Sequence, residues 1–88
     1  MKMIVAIVRD EDSEGVSQSL IAEGFRVTRI ASTGGFLRRG STTFMVGVEE
    51  NQVDEAIQII KDNCTLSIEP GLKRATLFVL NVDRFTQL

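Results

Sequence analysis

Met1-Lys2-Met3-Ile4-Val5-Ala6-Ile7-Val8, closed at once by Arg9-Asp10-Glu11-Asp12, is the stretch on which the fold turns. Met3 to Val8 is an unbroken apolar run rich in β-branched side chains, which predicts a strand buried on both faces. The run is far shorter than the roughly 20 residues that span a bilayer. It meets charge immediately and lacks a small-residue cleavage site, so it does not read as a signal peptide, and a cytoplasmic protein is expected.

Working outward, Asp12-Ser13-Glu14 predicts a helix start with acids in the first turn, and Val16, Leu20 and Ile21 form its apolar stripe. Gly24 stands where a left-handed helix stop belongs. Phe25 to Ala31 alternates as a second strand, with Phe25, Val27 and Arg29 on one face and Arg26, Thr28 and Ile30 on the other. Thr42 to Val48 predicts a third strand, with Phe44, Val46 and Val48 opposed to Met45 and Gly47. Asn51 is placed to cap a second helix, with Asp54 and Glu55 in its first turn. Val53, Ala56, Ile57 and Ile60 give that helix one apolar face, and it is expected to end near Asn63. Cys64 to Leu72 reads as a connector with a Pro70-Gly71 turn. Ala75 to Val82 is the last strand, and residues 83–88 form a short tail.

The order β-α-β-β-α-β predicts a single α+β domain over residues 1–88. Its plan is ferredoxin-like, an antiparallel sheet with two helices on one face. Two helices cover only that face. The first, third and last strands are nevertheless apolar on both faces, so the uncovered face must meet something other than water. A second copy of the chain is the expected cover, because most soluble oligomers are homo-oligomers.

Composition excludes several functions. The 88 residues suffice for one domain, and the net charge of −2 argues against a nucleic-acid partner. One cysteine and no histidine leave no intrachain disulfide, no His/Cys metal site and no imidazole for proton transfer. Cys64 is expected to be a small buried residue. The acids Asp10, Glu11 and Asp12, and likewise Glu49, Glu50, Asp54 and Glu55, flank helix starts where the helix dipole favours them. Neither an enzyme nor a metal protein is expected.

The segment Thr33-Gly34-Gly35-Phe36-Leu37-Arg38-Arg39-Gly40-Ser41-Thr42-Thr43 admits two readings. It is a hairpin whose glycines serve turn geometry, or it is an anion cradle. In the second reading glycine N–H groups and hydroxyls meet phosphate, Arg38 and Arg39 add charge, and Phe36 stacks on a base. It lacks the Gly-Lys-Ser/Thr ending of a P-loop.

Thr33-Gly34-Gly35-Phe36-Leu37-Arg38, then Gly40, then Thr42-Thr43-Phe44, resembles the signature of the PII-like cyclic-di-AMP receptor family. The similarity extends to Met1 through Val8, Asp10, Asp12-Ser13, Phe25-Arg26, Thr28, Val53-Asp54-Glu55, Cys64, Ala75-Thr76, Phe78-Val79, Val82-Asp83, Phe85 and Gln87. It implies a bacterial signal-transduction protein, homotrimeric, with an adenine nucleotide held non-covalently in clefts between subunits. The positions matching the family's pocket are Arg26, Thr28, Phe36, Leu37, Gly47 and Gln87. Thr33, Gly35, Arg38 and Ser41 complete the expected ligand-binding set. Two positions depart: Gly24 and Ser41 each stand where the receptors carry asparagine. The family's long excursion before the last strand, the T-loop, is shortened here to Cys64–Lys73. These departures imply an alternative, a trimeric interaction module that has lost cyclic-di-AMP and acts through a protein partner.

Overall fold

Strand β1 (Lys2–Arg9) is the interior strand from which the sheet is organised. The computed structural model describes residues 1–30, 40–65 and 75–88. The elements after β1 are helix α1 (Asp10–Ala22), strands β2 (Arg26–Ile30) and β3 (Ser41–Val48), helix α2 (Val53–Asp62) and strand β4 (Ala75–Asn81). A 3₁₀ turn, Glu50–Gln52, precedes α2. The sheet order is β2-β3-β1-β4, and every neighbouring pair is antiparallel. This is the expected α+β, ferredoxin-like architecture.

The pleat sorts the apolar residues as the alternation requires. Ile4, Ala6 and Val8 of β1 and Phe44, Val46 and Val48 of β3 face a core completed by Val16 and Leu20 of α1 and Ala56 and Ile60 of α2. Both helices therefore lie on one face of the sheet. Phe25 and Cys64 close the edges of this core, and Cys64 is buried as expected.

Two helix starts differ from the sequence expectation. Helix α1 begins at Asp10, immediately after Arg9, rather than near Asp12-Ser13. Ser13 does not cap it: its hydroxyl donates to the Asp10 carbonyl at 2.8 Å, inside the first turn. Helix α2 is not capped by Asn51. The 3₁₀ turn takes up residues 50–52, and the Glu49 N–H donates to Gln52 Oε1 at 3.0 Å. Asp54 and Glu55 do sit in the first turn of α2.

At its C-terminus α1 closes as a Schellman turn. Gly24 N–H reaches the Ile21 carbonyl at 2.9 Å, and Phe25 N–H reaches the Leu20 carbonyl at 3.0 Å. Gly24 has φ +89°, the left-handed conformation that glycine adopts without steric cost. The stop delivers the chain directly into β2, so the first residue of that strand, Arg26, is set by the helix end.

Candidate functional site

The sheet face opposite the helices is built in rows by the strand register. Arg26, Gly47, Met3 and Leu80 form one row across β2, β3, β1 and β4. Thr28, Met45, Val5 and Phe78 form the next, followed by Ile30, Thr43, Ile7 and Thr76. Phe78, Leu80 and Ile30 are exposed, and Met3, Val5, Ile7 and Met45 are only partly buried. The face is an apolar sheet surface that the helices do not cover.

Arg26 and Thr28 stand on the β2 side of this face, beside Gly47. The guanidinium of Arg26 makes no hydrogen bond or ion pair among the described residues. The contrast with Arg29 is informative. That residue is one pleat away, on the helix side, and it is engaged: it pairs with Glu14 at 3.5 Å and lies 5.5 Å from the centroid of the Phe44 ring. Gly47 leaves a gap between Arg26 and Met3, since a side chain added there would meet nothing within 4 Å. A cation, a hydroxyl and a side-chain-free notch thus share one patch. This arrangement suits an anionic ligand with a flat apolar part.

The structure brings together Arg26, Thr28 and Gly47 from the expected set. Ser41 opens β3 in register with Arg9 and is half-buried. Gln87 lies exposed in the tail beyond β4, and β2 and β4 are opposite edges of the sheet. Thr33, Gly35, Phe36, Leu37 and Arg38 lie outside the described residues.

Sequence reasoning treated two features too simply. Thr43 counted as one hydroxyl among several, yet pleat alternation puts it on the open face with Met45, where it is buried and its Oγ1 has no hydrogen-bond partner among the described residues. Asp10 and Asp12 read as helix-start charge, and both do lie in the first turn of α1. Each also accepts a hydroxyl from a distant segment: Thr42 donates to Asp10 Oδ1 at 2.5 Å, and Thr65 donates to Asp12 Oδ1 at 2.5 Å. Helical and strand periodicity carry no signal for such long-range pairs.

Among the described residues no group of three or more His, Cys, Asp or Glu side chains is arranged to hold a metal ion. No described helix is long and apolar enough to cross a membrane.

The sheet is ferredoxin-like, and the edge of its open apolar face carries Arg26, a cation unpaired among the described residues. The family then follows from comparison: residues 1–70 match the cyclic-di-AMP receptor family, and the chain belongs to it. That family is PII-like and is described by what it binds rather than by a reaction. A solved structure, a functionally unknown protein from Pediococcus pentosaceus ATCC 25745, is 38% identical with a TM-score of 0.79. The match covers 99% of this chain and 96% of that one, so the two agree over nearly their whole lengths. The family match stops before β4 and the tail, so Gln87 lies beyond it.

Proposed function

We propose that this single domain is a cytoplasmic signalling receptor. It binds cyclic-di-AMP or a related adenine nucleotide, without covalent attachment, in clefts between the subunits of a homotrimer. The observation that carries the reading is Arg26: a cation without a partner among the described residues, beside side-chain-free Gly47 and Thr28, at the border of an apolar sheet face. Arg26 would hold phosphate, and Thr33, Gly35, Phe36, Leu37, Arg38 and Ser41 would supply donors and a stacking surface. The opposite-edge placement of β2 and Gln87 favours a site between subunits. A ring of three chains sets the β2 edge of one against the β4 edge of the next, where the tail begins.

Calorimetric titration with cyclic-di-AMP and the common adenine nucleotides tests this. Heat that saturates at one ligand per cleft is expected; no heat with any of them defeats it. Gly47→Val sharpens the result. The added side chain has open space within the subunit, so the fold and its melting temperature should persist. Affinity should drop by at least about tenfold, because the notch beside Arg26 is filled.

One observation favours a second reading, the interaction module without nucleotide. Gly24 offers no side chain where the receptors carry an asparagine amide, and Ser41 replaces another. Each lost hydrogen bond is worth about 0.5–1.5 kcal/mol, so together they weaken binding by about ten- to a hundredfold. Gly24→Asn separates the readings. Asparagine enters the left-handed region more readily than other residues with a side chain, so it should cost less than the roughly 1–2 kcal/mol expected of those. Its Cβ would meet nothing within 4 Å. A nucleotide receptor should gain about fivefold in affinity from the restored amide. A chain whose nucleotide binding stays undetectable in both Gly24→Asn and the Gly24→Asn/Ser41→Asn double variant is acting through a protein partner.

A further inference from the structure

We propose that Arg9 to Asp12 form a rigid tie between two roots, the chain entering β3 and the chain just beyond α2, so that a displacement at one root is felt at the other. The tie rests on hydrogen bonds spanning 30 to 56 positions in sequence. On one side, Asp10 N–H donates to the Gly40 carbonyl at 2.8 Å, and Thr42 Oγ1 donates to the Asp10 carboxylate at 2.5 Å. These hold the chain where it enters β3. On the other side, Thr65 Oγ1 donates to the Asp12 carboxylate at 2.5 Å, and the Arg9 guanidinium donates to the Thr65 carbonyl at 3.0 Å. These hold the chain just beyond α2. Two residues apart, Asp10 and Asp12 therefore grip two remote segments.

Three features make the tie stiff. No residue intervenes between β1 and α1, so the junction has no slack. The Ser13 hydroxyl locks the first helical turn onto the Asp10 carbonyl. Asp12 is 5% exposed, and among the described residues its Oδ2 has no hydrogen-bond partner and the Thr65 hydroxyl is the one side-chain donor to that carboxylate. Removing it leaves a buried charge unsatisfied at the very start of α1, and the helix start must shift to reach water or another donor. Because Asp10 belongs to the same turn, Gly40 and Thr42 shift with it. The regulatory part of the inference rests on the nucleotide reading above. With Ser41 in the ligand set, occupancy of the cleft acts on the Gly40–Thr42 root, and the tie carries that change to Thr65.

Amide hydrogen exchange on the full chain, read by NMR, tests the tie without any ligand. Thr65→Val should speed exchange of the β3-entry amides of residues 41–43 by about tenfold, the loss expected for a hydrogen bond to a charged group. Thr42→Val should do the same to the Cys64 amide, and the effects of the two substitutions should be non-additive. Thr65→Ser, which keeps the hydroxyl, should restore protection; general loosening of the fold would not discriminate serine from valine in this way. Unchanged exchange at residues 41–43 in Thr65→Val, or strict additivity of the two variants, overturns the proposal. A second arm adds nucleotide: it should slow Cys64 exchange in the native chain and leave it unchanged in Thr42→Val. A native chain that binds no nucleotide defeats the proposed function but leaves the first arm to decide the tie.

Discussion

Val5→Glu should turn the proposed trimer into monomers and abolish the proposed nucleotide binding in the same step. Val5 occupies the middle of the open face, in the row Thr28, Met45, Val5 and Phe78. Within one chain it is half-buried, and a glutamate there can reach water at modest cost. In a trimer closed over these faces, three carboxylates would be buried against Met45, Phe78 and their own copies, with Arg26 at the edge of the face and not beside them. Burying an unpaired charge costs several kcal/mol per ion, more than an interface of this kind can absorb. Analytical ultracentrifugation should show a trimer for the native chain and a monomer of unchanged secondary structure for Val5→Glu. Because the proposed cleft needs two subunits, titration heat should vanish with the trimer. Persistence of a trimer in Val5→Glu would refute the assignment of this face as the interface. Loss of the trimer with binding intact would refute the intersubunit site.

Phe44→Ala should bring the chain close to unfolding. Phe44 is the largest fully buried side chain among the described residues, at 0% exposure, and it sits on β3, opposite Ala6 of β1, in the core that the helices cover. Truncating a buried phenylalanine costs about 3–5 kcal/mol, from lost transfer energy and the cavity left behind. It also removes the ring under Arg29. Domains are stable by only about 5–15 kcal/mol, and one of this size is expected near the lower end. Urea denaturation at fixed protein concentration should show a midpoint reduced by more than half. A change below about 1 kcal/mol would mean that the core does not centre on β3.

Much of this architecture was legible because its signals are local. The unbroken run Met3–Val8 required burial on two faces, and the register places Ile4, Ala6 and Val8 in the core with Met3, Val5 and Ile7 on the open side. The alternation that put Arg26 opposite Arg29 came from period two alone, and the structure keeps it. Gly24 was readable because a helix stop needs a positive φ that glycine adopts freely. Helix starts were less legible. Acids mark the first turn but not which acid leads, so α1 starts two residues earlier than the pattern Asp12-Ser13-Glu14 suggests. Asn51 has the chemistry of a cap, but the chain makes a 3₁₀ turn first and leaves it inside. Of the candidate site, the grouping of Arg26, Thr28 and Gly47 on one face was legible, because the three share one short register. The expected residues from Thr33 to Arg38 fall outside the described segments, so that part of the site rests on resemblance. The grips of Asp10 on Thr42 and of Asp12 on Thr65 were invisible, since nothing local distinguishes a carboxylate facing solvent from one gripping a distant hydroxyl.

The position of β1 also has a consequence for how the protein is made. Strand β1 is made before both of its partners: it pairs with β3 on one side and with β4 on the other, and Lys2 faces Asn81 across the sheet. Neither partner is a sequence neighbour. Until residues 75–81 emerge, the most apolar strand of the chain keeps one edge unpaired, open to strands of other nascent copies. Folding is therefore expected to complete only once β4 has emerged, and more slowly than in a helical protein of equal length, because its decisive contacts join strands far apart in sequence. Chains stalled before Ala75 should accordingly be protease-sensitive and prone to co-aggregate, while release of the last strand restores resistance.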